Sequence, residues 1–362
     1  MSDPEPRSFG VEEEFVLIDP DTRRVTSRSD RAEAANDSDE EVSLELFQHQ
    51  VESSTPPLRD AGELGEALRR GRRAMGESAA AVGARAVATA TPPLAPEPGQ
   101  FTRTPRYLRF EDAYGQIARE AHVCGMHVHV EVDGDEEGVR VIDGIRPWLP
   151  LLTAISANSP YWEGRDSGYA SWRSRVWLGW PSAGPREAFG DVETYREVAG
   201  RTMSWGGAMD PAMLYFDARL AESYPTVELR VSDVCLEVED AVLVAVLARA
   251  LVVAHTDRPS EEWRADVLKV AGWRAARFGI GADLVHPGTR ELAPAREVFA
   301  ALVEHVGPEL DAAGERRFAQ DGFDRLLARG NGAVRQRRTF EESHDLAAVV
   351  DDLADATEAT WL

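Results

Sequence analysis

Lysine is almost missing: Lys269, in the segment VLKVAG, stands alone against 39 arginines. A Walker A loop needs Gly-Lys-Ser/Thr and so does not exist here. The kinase set of strand lysine, HRD and DFG is absent as well. FGIGADL (residues 278–284) fails the dinucleotide fingerprint at its third glycine. A nucleotide bound to this chain therefore has to be held by metal ions and arginine. Cysteine is scarce too. Cys124 and Cys235 both sit inside apolar runs, which excludes a disulfide framework and a CxxC metal site and suits a reducing cytosol. Positive charge is in deficit, 40 basic against 63 acidic side chains for a net charge of −23. This argues against nucleic-acid or membrane phosphates as partners. No apolar run is long enough for a membrane span: AVLVAVLARALVVA (241–254) is interrupted by Arg249 and reads as a buried helix. The polar start MSDPEPRSFG has no apolar h-region, so a cytoplasmic protein without a signal peptide is expected. Internal repeats and Gly/Ser or Pro-rich linkers are also lacking. The expectation is one domain over 1–362, with 1–8 disordered.

What remains is ample for a core, since 43% of the 362 residues are hydrophobic. Three segments alternate as strands do. In SFGVEEEFVLID, Glu12 and Glu14 share one face while Val11, Glu13 and Phe15 share the other. In CGMHVHVEV (124–132), Met126, Val128, Val130 and Val132 oppose His127, His129 and Glu131. In PTVELRVSD (225–233), Val227, Leu229 and Val231 oppose Glu228, Arg230 and Ser232. SLELFQHQVESSTPP carries Glu45 and Glu52, seven apart, on one face of a helix or on two short strands around a bend. Residues 23–41 read as a polar surface excursion that offers no core. Residues 61–87 read as an amphipathic helix, and a second helix runs through IRPWLPLLTAISAN. Further helices are expected over 238–255, 261–278, 294–306, 315–329 and 340–358. Strands with charged faces come first and helices dominate the last third, an α+β pattern.

Alone, each of these side chains has an ordinary explanation. A single carboxylate on a strand is solvated surface, the reading given to Glu13 and Glu131, and a single imidazole is a hydrogen-bonded core group. Three strands that each place acids or imidazoles opposite their apolar face are different. A sheet with one polar face would gather Glu12, Glu14, His127, His129, Glu228 and Arg230, and so many carboxylates require cations. Mg²⁺ or Mn²⁺ suits this donor set. Zinc is the competitor because of His-x-His, although HExxH is absent.

Six motifs in order resemble one family: GVEEEF (10–15), ELFQHQVESSTP (45–56), CGMHVHV (124–130), SANSPYWEG with SGYASWRS (156–174), TVELRVSD (226–233) and WRAARFGIGA (273–282). The chain, from Gly10 to about Val350, is similar to the carboxylate-amine ligases of the glutamate-cysteine ligase type 2 (YbdK-like) group. The resemblance implies a glutamine-synthetase-like fold, in which a curved, mostly antiparallel sheet forms a funnel covered by helices on its outer side. It also implies that Glu12, Glu14, Glu45, Glu52, His127 and Glu228 bind metal, that Arg230 meets the moving phosphate, and that Arg173, Tyr169 and Ser171 lie near the amino-acid substrate. His129 belongs to the motif and is placed with the substrate contacts. One departure is visible: where relatives carry a Gly-Thr-His-Pro-like turn, this chain reads VATATPPLAP (87–96), without the histidine.

The activity implied is ATP-dependent ligation with Mg²⁺ or Mn²⁺, in which a carboxylate, foremost the γ-carboxylate of glutamate, is activated as an acyl phosphate and attacked by an amine such as cysteine. Glu228 and Arg230 would be its catalytic pair. Its partners would be these small molecules, with homo-oligomerisation left open. Two alternatives come from other classes: a zinc hydrolase using the His-x-His strand, and a non-catalytic nucleotide or amino-acid sensor.

Overall fold

The computed structural model describes residues 6–94 and 100–362. Its centre is a seven-stranded antiparallel sheet: β1 (Phe9–Ile18), β2 (Ser43–Leu44), β3 (Gln50–Ser54), β4 (Arg85–Val87), β5 (Gly125–Glu131), β6 (Ala218–Leu220) and β7 (Thr226–Asp233). The strands lie in the order β2-β3-β1-β5-β7-β6, and β4 pairs with the end of β1. The alternation in the sequence decides the two faces. Phe9, Val11, Phe15, Met126, Val128, Val130, Val227 and Leu229 are all buried in the core, while Glu12, Glu14, His127, His129 and Glu228 between them point the other way.

Helices close the apolar face. Helix Val238–Ala254 is buried at every position except Glu239 and Val253, as a helix that is hydrophobic all round must be. It packs on helix Ala61–Ala81, on helix Leu149–Ser156 and on β1 and β5. Asp60 caps helix Ala61–Ala81 by accepting the Glu63 N–H. The helix expected to reach residue 87 stops at Ala81, because Gly83 turns the chain with φ +74° into β4. The expected helix 340–358 is two, Gly332–Ser343 and Leu346–Ala359, broken where His344 takes φ +53° and Asp345 caps the second. The polar stretch 23–41 does reach the core: it contains helix Ser29–Ala35, with Ala32 buried. Among the described residues no helix is long and apolar enough to cross a membrane.

Of the eight N-terminal residues expected to be disordered, 1–5 lie outside the described ones. Arg7 pairs with Glu137 at 2.8 Å, and the Ser8 N–H donates to Glu131 at 2.9 Å.

Glu13 corrects an expectation. Read as solvated, it is 2% exposed and faces the helices. Arg72, on helix Ala61–Ala81, meets it twice, at 2.5 and 2.8 Å, and donates to the carbonyls of Cys235 and Leu236 at 2.8 Å. One guanidinium thus ties helix, β1 and the end of β7 together, and its partners satisfy a charge that burial alone would expel. Arg72→Ala, which strands Glu13, is expected to cost about 3–5 kcal/mol, read as a lower urea midpoint at unchanged slope. Arg72→Met combined with Glu13→Leu removes both charges and should cost less than Arg72→Ala; an equal or larger loss would contradict this account.

Candidate active site

Cross-strand register assembles the site. Glu14 lies opposite Glu52 across β1 and β3, and Glu12 opposite His127 across β1 and β5. His129 lies opposite Glu228 across β5 and β7, and Glu228 opposite Arg219 across β7 and β6. Directly opposed side chains on one face are the closest neighbours a sheet offers. At one place the register shifts. Met126 pairs with Ser232 but Val128 with Leu229, so β7 carries an extra residue at Arg230–Val231. Such a bulge re-aims side chains, and here it falls on Arg230.

These residues line one cavity of about 290 Å³. Glu12, Glu14, Glu45, Glu52, His127, His129, Glu228 and Arg230 are all on its wall. The His127 Nδ1 is 3.1 Å from a Glu12 oxygen, and the His129 Nε2 is 3.2 Å from the other. With Nδ1 donating to Glu12, the His127 Nε2 lone pair is left facing Glu14 at 3.8 Å. Glu14 in turn accepts the Gly125 N–H at 2.6 Å. Gly125 has to be glycine, because a Cβ there would strike the Arg173 guanidinium.

The acids divide into two electrostatic halves. Burial opposes ionisation of Glu12, but hydrogen bonds from His127 and His129 overcome it and hold the carboxyl below its usual range. Glu228 is likewise buried yet held low by Arg230 and Arg219; it contacts Arg230 directly and accepts from Arg219 at 2.7 Å. In the other half, burial and mutual repulsion outweigh what help there is, the Leu46 N–H and the charge of Arg230 acting on Glu45. Burial, then the charge of Glu14, pushes Glu45 up to about 7. Burial, then Glu45, Glu12 and Glu14, pushes Glu52 well above the carboxylate range. His127 is drawn down by burial and by Arg230, so it is neutral and free to act as a ligand.

A divalent cation fits this donor set. Glu12, His129 and Glu228 can each aim a ligand atom within 4.8 Å of one another, and so can Glu14, Glu45 and Glu52. His127 Nε2 is buried without a hydrogen-bond partner, as a nitrogen waiting for a ligand would be. His129, which the resemblance placed with the substrate, stands in the first of these groups.

Sequence reasoning missed several lining residues. Arg219 comes from β6, too short to show alternation, and Arg106, Tyr107 and Phe110 come from the helix Pro105–Tyr114, which the sequence reading did not identify. Trp177, Trp180 and Tyr215 form an aromatic wall. Conversely, Tyr169, Ser171 and Arg173 do not line this cavity. Ser171 is fully buried and donates to Asp233 at 2.8 Å. Tyr169 accepts from the Trp273 indole at 3.0 Å on the outer surface. The Arg173 Nη2 donates to the Arg230 carbonyl at 3.2 Å from behind. In the stretch 87–96, Thr91 is buried and donates to the Tyr161 carbonyl at 2.8 Å, while 95 and 96 lie outside the described residues.

Known proteins are similar to this chain over nearly its whole length. A Nocardioides sp. protein provisionally named glutamate–cysteine ligase 2-1 is 47% identical over 374 residues, covering 98% of this chain and 97% of its own. A Streptomyces coelicolor protein provisionally named glutamate–cysteine ligase 2 is 44% identical, covering 98% and 99%. Among solved structures, a glutamate–cysteine ligase from Francisella tularensis in complex with AMP superposes with a TM-score of 0.67 at 11% identity, over 99% of this chain and 90% of its own. A bifunctional glutathione synthetase from Pasteurella multocida gives 0.71 at 15% identity; this chain is matched over 99% but spans only 53% of that one. At such identities the structures establish a shared fold, that of the glutamine-synthetase-like ligases. The model of the glutamate-cysteine ligase family 2 matches residues 8–352, and with relatives this similar end to end the chain belongs to that family.

Proposed function

We propose that the protein is an ATP-dependent carboxylate–amine ligase that activates a carboxylate, foremost the γ-carboxylate of glutamate, as an acyl phosphate and joins it to an amine, with cysteine as the first candidate. One observation carries this reading: two clusters holding five glutamates in all converge in one cavity with Arg230 and Arg219 beside them. Divalent ions, Mg²⁺ or Mn²⁺, when bound there would supply the positive charge that a triphosphate needs. Glu12, His129 and Glu228 would hold one, and Glu14, Glu45 and Glu52 another, with His127 between the groups. Phosphoryl transfer needs positioning and charge neutralisation above all, which explains how a chain with a single lysine could perform it.

The protein's own groups would do the rest. Arg230 is buried and stacked over Trp177 and Tyr215, 5.7 and 5.5 Å from the ring centroids, so its fork is fixed before substrate arrives. Glu228, itself paired with Arg219, holds it from one side. Its role would be to meet the oxygens of the phosphoryl group in flight. The acceptor amine attacks as the neutral base, and the aromatic wall would keep water from the acyl phosphate. A zinc hydrolase built on the two histidines would leave Glu14, Glu45 and Glu52 repelling one another to no purpose, so ligation is the better reading.

The direct test is ADP release with Mg²⁺, ATP and glutamate against a panel of amines, with product masses recorded. An amine-dependent amide of glutamate is expected; ATP turnover without any such product would overturn the reading. Arg230→Ala should lower ADP release by about a hundredfold or more while the protein stays folded, and unimpaired turnover would remove Arg230 from the site. Proton linkage gives a second check. Glu45 keeps its proton up to about pH 7, so a divalent ion has to displace that proton below neutrality and need not above it. Glu52, also held above the carboxylate range, has to release its proton as well, so Mg²⁺ affinity measured by calorimetry should rise with pH through about 7. Glu45→Gln should flatten that rise; a profile flat in the parent protein would contradict the assignment.

A further inference from the structure

A second cavity, of about 60 Å³, shares only Trp177 and Arg230 with the main one among the described residues. Its wall is cationic. Arg146, Arg173 and Arg175 line it, Arg186 lines a small extension, Lys269 stands at the rim, and Asp217 is the one carboxylate. The extension and the cavity have Arg146 and Asp217 in common.

These arginines are anomalous in a chain of net charge −23. Among the described residues Arg146, Arg173, Arg175 and Arg186 make no ion pair. They bond to neutral oxygens instead: Arg146 to the carbonyls of Asp143, Arg186 and Trp263, Arg173 to that of Arg230, Arg175 to the Ser174 hydroxyl, and Arg186 to the Ser182 carbonyl. Arg173 is 2% exposed and Arg146 6%. Even so, Arg173 Nε, Arg146 Nη2 and Arg186 Nε are buried donors with no acceptor. Burial draws all four guanidiniums below their usual range. Carboxylates act on them only from beyond ion-pair distance, Asp143 on Arg146, Asp233 on Arg173 and Asp217 on Arg175 and Arg186, and buried donors without acceptors are rare. Neutral carbonyls fix where these cations sit but do not discharge them.

We infer that this cavity is a second anion site, for a small carboxylate or phosphate group, separate from the acidic cavity and joined to it through Arg230. Arginine forks match the two oxygens that either group presents. The volume admits a single oxyanion and excludes a nucleotide. Arg173, which the resemblance assigned to the amino-acid substrate, belongs to this cavity.

The inference does not rest on the ligase reading, and its test needs neither ATP nor metal. Calorimetric titration of the intact protein, in a chelator so that the acidic cavity repels anions, is run with inorganic phosphate and separately with glutamate. Saturable binding of at least one is expected. Phosphate alone would make it a site for free phosphate, glutamate alone a site for a substrate-type carboxylate, and mutual competition a site for either. Arg175→Gln and Arg186→Gln should each weaken binding by about tenfold or more. Arg175→Lys, which keeps the charge, should retain most of the affinity, and so should Arg296→Gln, a change to an exposed arginine paired with Asp324. No saturable binding of either anion, or affinity unchanged in both glutamine variants, overturns the proposal.

Discussion

Mutual repulsion among Glu14, Glu45 and Glu52 is the constraint from which the rest of the site follows. Three carboxylates share a cavity wall, and burial, then repulsion, drives Glu45 and Glu52 towards their protonated forms. A fold spends stability on such an arrangement only where something binds to it. The neighbouring group shows the contrast: Glu12 and Glu228 are also buried, but histidines and arginines already balance them. The cavity is therefore charged unevenly, with Glu12 and Glu228 held ionised by neighbouring histidines and arginines while Glu45 and Glu52 are raised.

The sheet makes this possible by separating two jobs. Its apolar face is anchored by helices Ala61–Ala81 and Val238–Ala254, and the buried Arg72–Glu13 pair fixes the first of them on β1. With that face settled, a one-residue slip of any strand would turn the core outward, so the register is tightly specified. The opposed pairs Glu14–Glu52, Glu12–His127 and His129–Glu228 inherit that precision. Preorganisation at the site is thus a by-product of burial on the other side.

Strict alternation over β1, β5 and β7 made the polar face readable in the sequence, and with it Glu12, Glu14, His127, His129, Glu228 and Arg230. Glu45 and Glu52 were ambiguous between a helix and two strands; the structure places Glu52 in β3 and Glu45 just after the two-residue β2. The partners that come from irregular or short elements left no period to find. Arg219 is such a case, and so is Arg72, whose place opposite Glu13 depends on how a helix lies across the sheet. Glu13 itself was misjudged because alternation tells which face a residue takes but not whether an arginine awaits it there. Tyr169, Ser171 and Arg173 show the converse limit: a motif can mark a segment as special without saying which cavity its side chains serve.

Anomalous diffraction from crystals grown with Mn²⁺ and a nonhydrolysable ATP analogue tests the central claim most directly. The account predicts metal peaks bounded by Glu14, Glu45 and Glu52 and by Glu12, His129 and Glu228, with the γ-phosphate turned towards Arg230. A nucleotide bound elsewhere, or an acidic cavity that stays free of metal at saturating Mn²⁺, would contradict it.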